Sequence, residues 1–396
     1  MKQTELETLN VIMAGHIDHG KTTLLQRLSG RWTDTHSEEM KRGITIKLGY
    51  ADIIVYEDKG MYGRENKGKP LRYISFIDAP GHEMLMATML SGTAIVDAAL
   101  LVVAANEGIK PQTREHLIAL QAKRVKHVIV LQNKIDLVSK EQALKNYNEI
   151  VELFKAVRGE KPVVIPVSAQ QNVNISKIYQ ALCELPIPDR KIDGDPLFIV
   201  ARSFDINKPG TKPKDLHGAV LGGTLKRGTL KKGDEIEIKP GIAVKEANQI
   251  HYKSLKTRVK RLFKGSTEVQ EITPGGSMSI ETELDMALGK TDLLSGAVVS
   301  HADKLPEIVF VLKMRYQLFN EVLGTQIKAR VDPLKPSETV MLSINTSVTI
   351  GMIKKLTKNE AEIHLRIPIV PFKGENIAIA RNLMNHWRLI GYGEIL

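Results

Sequence analysis

Gly15-His16-Ile17-Asp18-His19-Gly20-Lys21-Thr22 matches the pattern G-x-x-x-x-G-K-[ST] and decides how the first half of the chain is read. It follows the apolar run Leu9 to Ala14 and opens into a segment that keeps Leu24, Leu25 and Leu28 on one side, so it sits between a strand and a helix. Glycine lets successive backbone N–H groups turn inward around a phosphate, and the helix N-terminus adds positive potential. Lys21 is then expected to bridge the β and γ phosphates, and the Thr22 hydroxyl to ligate Mg²⁺. Gly15, Asp18, His19, Gly20, Lys21, Thr22 and Thr23 are the phosphate-side candidates.

Three further motifs stand at the ends of expected strands. Asp78-Ala79-Pro80-Gly81 ends the run Tyr73 to Ile77; a carboxylate there can hold a metal-bound water, and Gly81 offers an N–H to the γ phosphate. Asn133-Lys134-Ile135-Asp136 ends a later strand, Lys126 to Leu131. The Asp136 carboxylate can accept from both the ring N–H and the 2-amino group of guanine, donors that adenine lacks. Ser168-Ala169-Gln170 follows Val163 to Pro166 and can offer an N–H to guanine O6. In this order the four motifs specify a guanine-nucleotide site. His82, next to Gly81, can orient a water for in-line attack, and Asp78 and Asp18 complete the catalytic candidates. His16 and His19 lack the thiolates or third ligand of a metal site.

Strands such as Ala98 to Ala104 alternate with helical patterns at Pro111 to Ala122, Glu141 to Val157 and Ile175 to Glu184, which describes an α/β domain with a mainly parallel sheet. Pro186 to Pro196, with three prolines, breaks that texture and reads as a linker. Beyond it come short alternating runs without a long helix, an all-β half in which barrels bury the strand edges. The expected organisation is a P-loop GTPase domain over 1–190 followed by two β barrels, over 191–306 and 307–396. Asp58 to Pro70, rich in glycine and charge, reads as a loop. The formal net charge of +11 favours a polyanionic partner, and Lys226, Arg227, Lys231, Lys232, Arg258, Lys260 and Arg261 are candidate phosphate contacts. Cys183 is the sole cysteine, so no intrachain disulfide can form. With no signal-peptide core and no run of apolar residues long enough to span a bilayer, the expected place of action is the cytoplasm, with no membrane partner.

GHIDHGKTTL, RGITI and DAPGHE resemble the translational GTPases. Within them, Trp32 to Glu39 (WTDTHSEE), Arg202 to Gly210 (RSFDINKPG) and Trp387 to Gly393 (WRLIGYG) resemble the gamma-subunit family of archaeal and eukaryotic translation initiation factor 2. The resemblance implies that Thr45 of the Gly43-Ile44-Thr45 segment reaches Mg²⁺ in the GTP state and that His82 positions the attacking water. It also implies that Ile17 and Ile44 screen that histidine, and that Asp18 and Asp78 lie near the metal. The implied partners are methionylated initiator tRNA, the alpha and beta subunits of the same factor and the small ribosomal subunit. Many members insert a cysteine-rich zinc knuckle before DAPG; Asp58 to Pro70 has no cysteine, so no zinc is expected there. The alternatives are an elongation-type GTPase, including one for selenocysteyl-tRNA, and a metabolic GTPase subunit of the sulfate-adenylylating type. WTDTHSEE argues against the first, and the second has no use for a tRNA groove.

Overall fold

The computed structural model describes residues 6–32, 48–80, 86–246, 249–321, 330–383 and 386–396. Two compact units form: Met1–Pro188 with Leu318–Pro333 and Ala378–Tyr392, and Asp189–Gln317 with Leu334–Ile377 and Gly393–Leu396.

The N-terminal sheet contains β1 (Thr8–Gly15), β2 (Gly49–Asp58), β3 (Met61–Gly63), β4 (Lys69–Asp78), β5 (Ala98–Ala104), β6 (His127–Asn133) and β7 (Val163–Pro166). Their spatial order is β3-β2-β4-β1-β5-β6-β7. From β4 to β7 the pairings are parallel, so the C-terminal tips of these strands share one edge, where an α/β sheet binds its ligands. The helices are α1 (Lys21–Ser29), α2 (Met86–Thr93), α3 (Pro111–Ala122), α4 (Lys140–Arg158) and α5 (Ile175–Glu184). Leu9, Val11 and Met13 of β1 point to one face and share a core with Leu24, Leu25 and Leu28 of α1 and Ile178 and Leu182 of α5. Burying about eight such side chains, at about 1.5–3 kcal/mol each, seats the helix that follows the phosphate loop. Cys183 packs against this core, and burial pushes its thiol up to about 11, in keeping with a packing role.

The segment Asp58 to Pro70 differs from the loop expected of it. β2 turns at Lys59 and Gly60 (φ 50° and 81°) into β3, with Asp58 opposite Met61, and Lys69 and Pro70 already belong to β4. Positive φ at both turn residues is the tight hairpin geometry whose twist matches the strands. The charged residues of this segment are exposed, while Tyr62 packs on the core and its N–H donates to Ser176 Oγ (3.1 Å). A hairpin docked on α5 therefore occupies the place that the resemblance assigns to a zinc knuckle.

Two of the remaining sheets are barrels, beside a small two-stranded sheet of Leu230–Lys231 and Glu271–Ile272. Glu235–Glu246, Val298–His301, Leu197–Phe204, Val220–Arg227, Met278–Thr282 and Gln249–Lys264 pair in that order, and the last returns to the first. Phe198, Val200, Leu221, Ile236, Ile238, Leu262 and Ile280 fill its interior. The second barrel closes through Val309–Leu318, Glu360–Ile369, Ser347–Leu356, Thr339–Ile344, Asn376–Leu383 and His386–Ile395. Closure pairs the edges of the six strands of each barrel, and the short strand Thr267–Val269 is added on Gln249–Lys264 of the first. The architecture is thus a P-loop GTPase domain followed by two closed β barrels. Among the described residues, no helix is long and apolar enough to cross a membrane.

Candidate guanine-nucleotide site

The loop from Gly15 to Thr22 is shaped by its neighbours. Gly15 (φ 133°) lies so close to the Val102 carbonyl that a Cβ would collide with it, and at Gly20 (φ 89°) a Cβ would fall 2.5 Å from Asn133 Nδ2. Both positions require glycine for conformation and for space. Asp18 adopts φ 61°, and its side chain is exposed, as is that of Thr23. Lys21 is buried, and its ammonium donates to His16 O at 2.9 Å. The Thr22 hydroxyl donates to Asp78 Oδ2 at 2.9 Å, joining the start of α1 to the tip of β4. These are two hard oxygen donors, the type that suits Mg²⁺. Ile17 is half-buried in the loop.

Asn133 is the keystone of the guanine side. It is 2% exposed; its Nδ2 donates to His19 O (3.0 Å), and its Oδ1 accepts from Ala169 N (3.2 Å). One amide therefore fixes the phosphate loop and the Ser168-Ala169-Gln170 segment together. Arg27 of α1 adds donations to Ala169 O (2.9 Å) and Gln170 O (3.2 Å). Ser168 Oγ accepts from Gln171 N (3.0 Å) and closes that turn. Lys134 takes a left-handed conformation (φ 60°), and its ammonium donates to Glu107 Oε1 at 3.0 Å. Burial opposes ionisation of Glu107, but the Lys134 ammonium outweighs it and holds the carboxyl below the usual range. Asp136 stands exposed in the one-turn helix Ile135–Leu137, whose start is pinned by Ile135 N donating to Val167 O (3.3 Å). The carboxylate is therefore presented at the strand tips without serving the fold.

Two imidazoles buttress the loop from behind. His19 is fully buried; burial pushes its imidazole down to about 4 against the opposing pull of Val102 O, 3.3 Å from Nδ1. His116, 1% exposed on α3, is pushed by burial, and then by Lys21 and His16, down to about 3. It is neutral at pH 7, and its Nδ1 accepts the Gly15 N–H (2.8 Å). Both values lie below the unfolded 6.5, so the unfolded chain binds more protons between pH 6.5 and 4. The stability that goes with neutral imidazoles is complete above pH 6.5 and is lost as the pH falls toward 4. Calorimetry at pH 7 and pH 4.5 should show the melting temperature of the GTP-binding domain fall by about 10 °C. An unmoved transition would mean that both rings protonate inside the fold.

The structure thus brings together Gly15, His19, Gly20, Lys21, Thr22, Asp78, Asn133, Lys134, Ser168, Ala169 and Gln170, with Asp18, Thr23 and Asp136 on the open side. Gly43, Ile44, Thr45, Gly81 and His82 lie outside the described residues. Arg27, Glu107 and His116 were not foreseen. A basic or acidic residue in a helix or loop carries no local sign of a partner more than 25 residues away.

The elongation factor Tu GTP-binding domain family model matches residues 6–187, and the C-terminal model of initiation factor eIF2 gamma matches 310–395. Translation initiation factor 2 subunit gamma of Methanococcus maripaludis is 45% identical over 100% of both chains. The chain belongs to this gamma-subunit family. The subunits of Pyrococcus horikoshii (45% identical, 100% of this chain and 98% of the relative) and Archaeoglobus fulgidus (46%, 100% and 96%) agree. A bacterial selenocysteine-specific elongation factor superposes with a TM-score of 0.78 at 24% identity, over 98% of this chain and 58% of its own, so it shares the fold. As a member of the gamma-subunit family the chain is a GTP-binding protein of the translational GTPase class. The selenocysteine-specific elongation factor, at 24% identity, shares the fold, whereas the gamma subunits are 45–46% identical along the entire chain.

Proposed function

We propose that GTP at this site governs capture of methionylated initiator tRNA, which the chain, together with alpha and beta subunits, delivers to the small ribosomal subunit in the cytoplasm. The observation that carries this reading is the 45% identity with initiation factor 2 gamma subunits along the entire chain. In this reading the GTPase domain is 1–190 and the barrels are 191–306 and 307–396. Gly15, Asp18, His19, Gly20, Lys21, Thr22, Thr23 and Gly81 cradle the phosphates; Asn133, Lys134, Asp136, Ser168, Ala169 and Gln170 select guanine. Thr22, Thr45, Asp18 and Asp78 serve Mg²⁺, which neutralises phosphate charge when bound. The fit rests on the Thr22–Asp78 oxygen pair. Gly43, Ile44 and Ile17 are the gate residues of this reading and His82 its water-positioning residue.

Of the basic candidates for RNA contact, Lys226 is engaged by Asn345 and Glu375, Lys231 by Glu271, Arg258 by Glu235, and Lys260 and Arg261 by Glu281. Arg227 and Lys232, without an ion pair among the described residues, are the first choices for phosphate contact. Filter binding with GTP and added alpha subunit tests the whole reading: methionylated initiator tRNA should be retained in clear preference to methionylated elongator tRNA, and equal retention would defeat it.

His82→Ala should leave GTP affinity unchanged and slow ribosome-stimulated phosphate release by about a hundredfold, since positioning the water is worth several kcal/mol of barrier. Single-turnover phosphate release checks this. An unchanged stimulated rate would remove His82 from the catalytic set.

A further inference from the structure

Helix α3 carries two neighbouring buried side chains that nucleotide chemistry alone leaves unexplained. His116 holds the first N–H of the phosphate loop, that of Gly15, at 2.8 Å. Glu115, whose side chain is 1% exposed, receives Arg388 Nη1 at 3.2 Å; the Arg388 side chain is 10% exposed. Arg388 belongs to the strand His386–Ile395, within the WRLIGYG motif, and lies in the same compact unit as the GTPase domain. A buried ion pair is a poor device for stability, because desolvation cancels most of its Coulomb energy and apolar residues hold two elements together at least as well. What the pair adds is direction: a planar guanidinium fixes where the carboxylate, and hence the helix, must sit.

Consecutive residues on a helix point about 100° apart, so Glu115 and His116 face different neighbours while sharing one rigid backbone. A displacement of one is a displacement of the other. Gly15 is paired with Val102 in the sheet and packed against its carbonyl, so the loop entrance is held there by the sheet and at its N–H by His116. His116 is the right species for this role, since a neutral ring can accept at Nδ1 and a protonated one cannot.

We propose that Arg388 is a positioning residue for the nucleotide site: through Glu115 and His116 it sets the first turn of the phosphate loop, so that nucleotide release follows the seating of the C-terminal strand.

The inference rests on nucleotide occupying the phosphate loop, and binding of a fluorescent methylanthraniloyl-GDP to the unaltered chain reads that first and separately. Stopped-flow release of this GDP from the full chain, chased with excess GDP, then tests the coupling. Arg388→Gln and Glu115→Gln should each speed release about fivefold. The double variant should release no faster than either single one, because both break one connection. Arg388→Lys should fall between, keeping the charge but losing the planar fork. Arg315→Gln, which removes an ion pair to Glu394 on the same strand, should leave release unchanged and so separates coupling from general loosening of the barrel. Release within about twofold of the unaltered chain in both single variants, whatever their melting temperatures, would make the pair merely structural and overturn the proposal. Multiplying effects in the double variant would do the same. Should Arg388→Gln fail to fold, Arg388→Lys and Glu115→Gln carry the same comparison.

Discussion

Exchanging Asp136 for asparagine should weaken GTP binding by about a hundredfold and strengthen binding of xanthosine triphosphate by a similar factor. The carboxylate of Asp136 is an acceptor for two donors of guanine, and each charge-assisted hydrogen bond in such a site is worth about 1.5–3 kcal/mol. Asparagine turns one of those acceptors into a donor, which faces the 2-amino group of guanine but matches the 2-oxo group of xanthine. The loop itself should not move. Its geometry depends on Ile135 N donating to Val167 O and on Lys134 bonding Glu107, and the Asp136 side chain is exposed in the turn. Competition of GTP and xanthosine triphosphate against a fluorescent GDP gives both affinities. An unchanged preference for GTP would mean that another group reads the base.

Both this expectation and most of the site were legible in the sequence, for a physical reason. Each motif occupies the tip of a strand, and strand tips in a parallel sheet share one edge, so linear order plus strand assignment is enough to place Lys21, Thr22, Asp78, Asn133 and Ala169 together. The helices Pro111–Ala122 and Ile175–Glu184 stood at their expected limits because capping residues, proline or a change of periodicity mark them locally. β2 and β3 did not announce themselves. β2 alternates buried with half-exposed positions, its polar members Asp52, Glu57 and Asp58 dilute the apolar signal, and the Lys59-Gly60 turn looks like ordinary loop composition. Helix α2 was also missed, being eight residues long with methionine and glycine rather than a clear apolar stripe.

What the sequence left unread is what depends on distance along the chain. Asn133 belongs to the motif expected at the nucleotide, and its amide bonds His19 O and Ala169 N, so its first effect on nucleotide is to hold two loops in register. Charge runs likewise conceal their partners. Lys260 and Arg261 are candidate phosphate contacts by sequence, and both turn to Glu281, which is fully buried; burial alone would raise that carboxyl, and Arg261 and His217 together outweigh it and hold it low. A lysine's neighbours across a sheet are set by register, which no local pattern gives.

Lys21→Ala should have the largest effect of any single change, raising the dissociation constants for GTP and GDP by about a thousandfold while leaving the melting temperature of the nucleotide-free chain unchanged or slightly higher. The two halves of that expectation have one cause. Lys21 is 6% exposed, its ammonium is bonded to the His16 carbonyl, and the nearby imidazoles of His16, His19 and His116 are all pushed toward neutrality, with Lys21 contributing to each shift. An ammonium kept out of water carries a desolvation cost that its partners in the fold offset only in part. It becomes a gain when phosphate oxygens bring negative charge, and charge-assisted contacts of about 1.5–3 kcal/mol each in a dry loop supply the roughly 4 kcal/mol that a thousandfold change requires. Removing the lysine relieves the fold and disarms the site. Lys21→Arg should fail to restore binding, because the broad, planar guanidinium does not fit where a compact ammonium reaches the loop carbonyl. Fluorescence titration with methylanthraniloyl-GDP and calorimetry on the same samples read both halves. Affinity within tenfold of the unaltered chain would show that the phosphates are held by the backbone amides and helix terminus alone, and a large drop in melting temperature would show that Lys21 serves the fold before it serves the nucleotide.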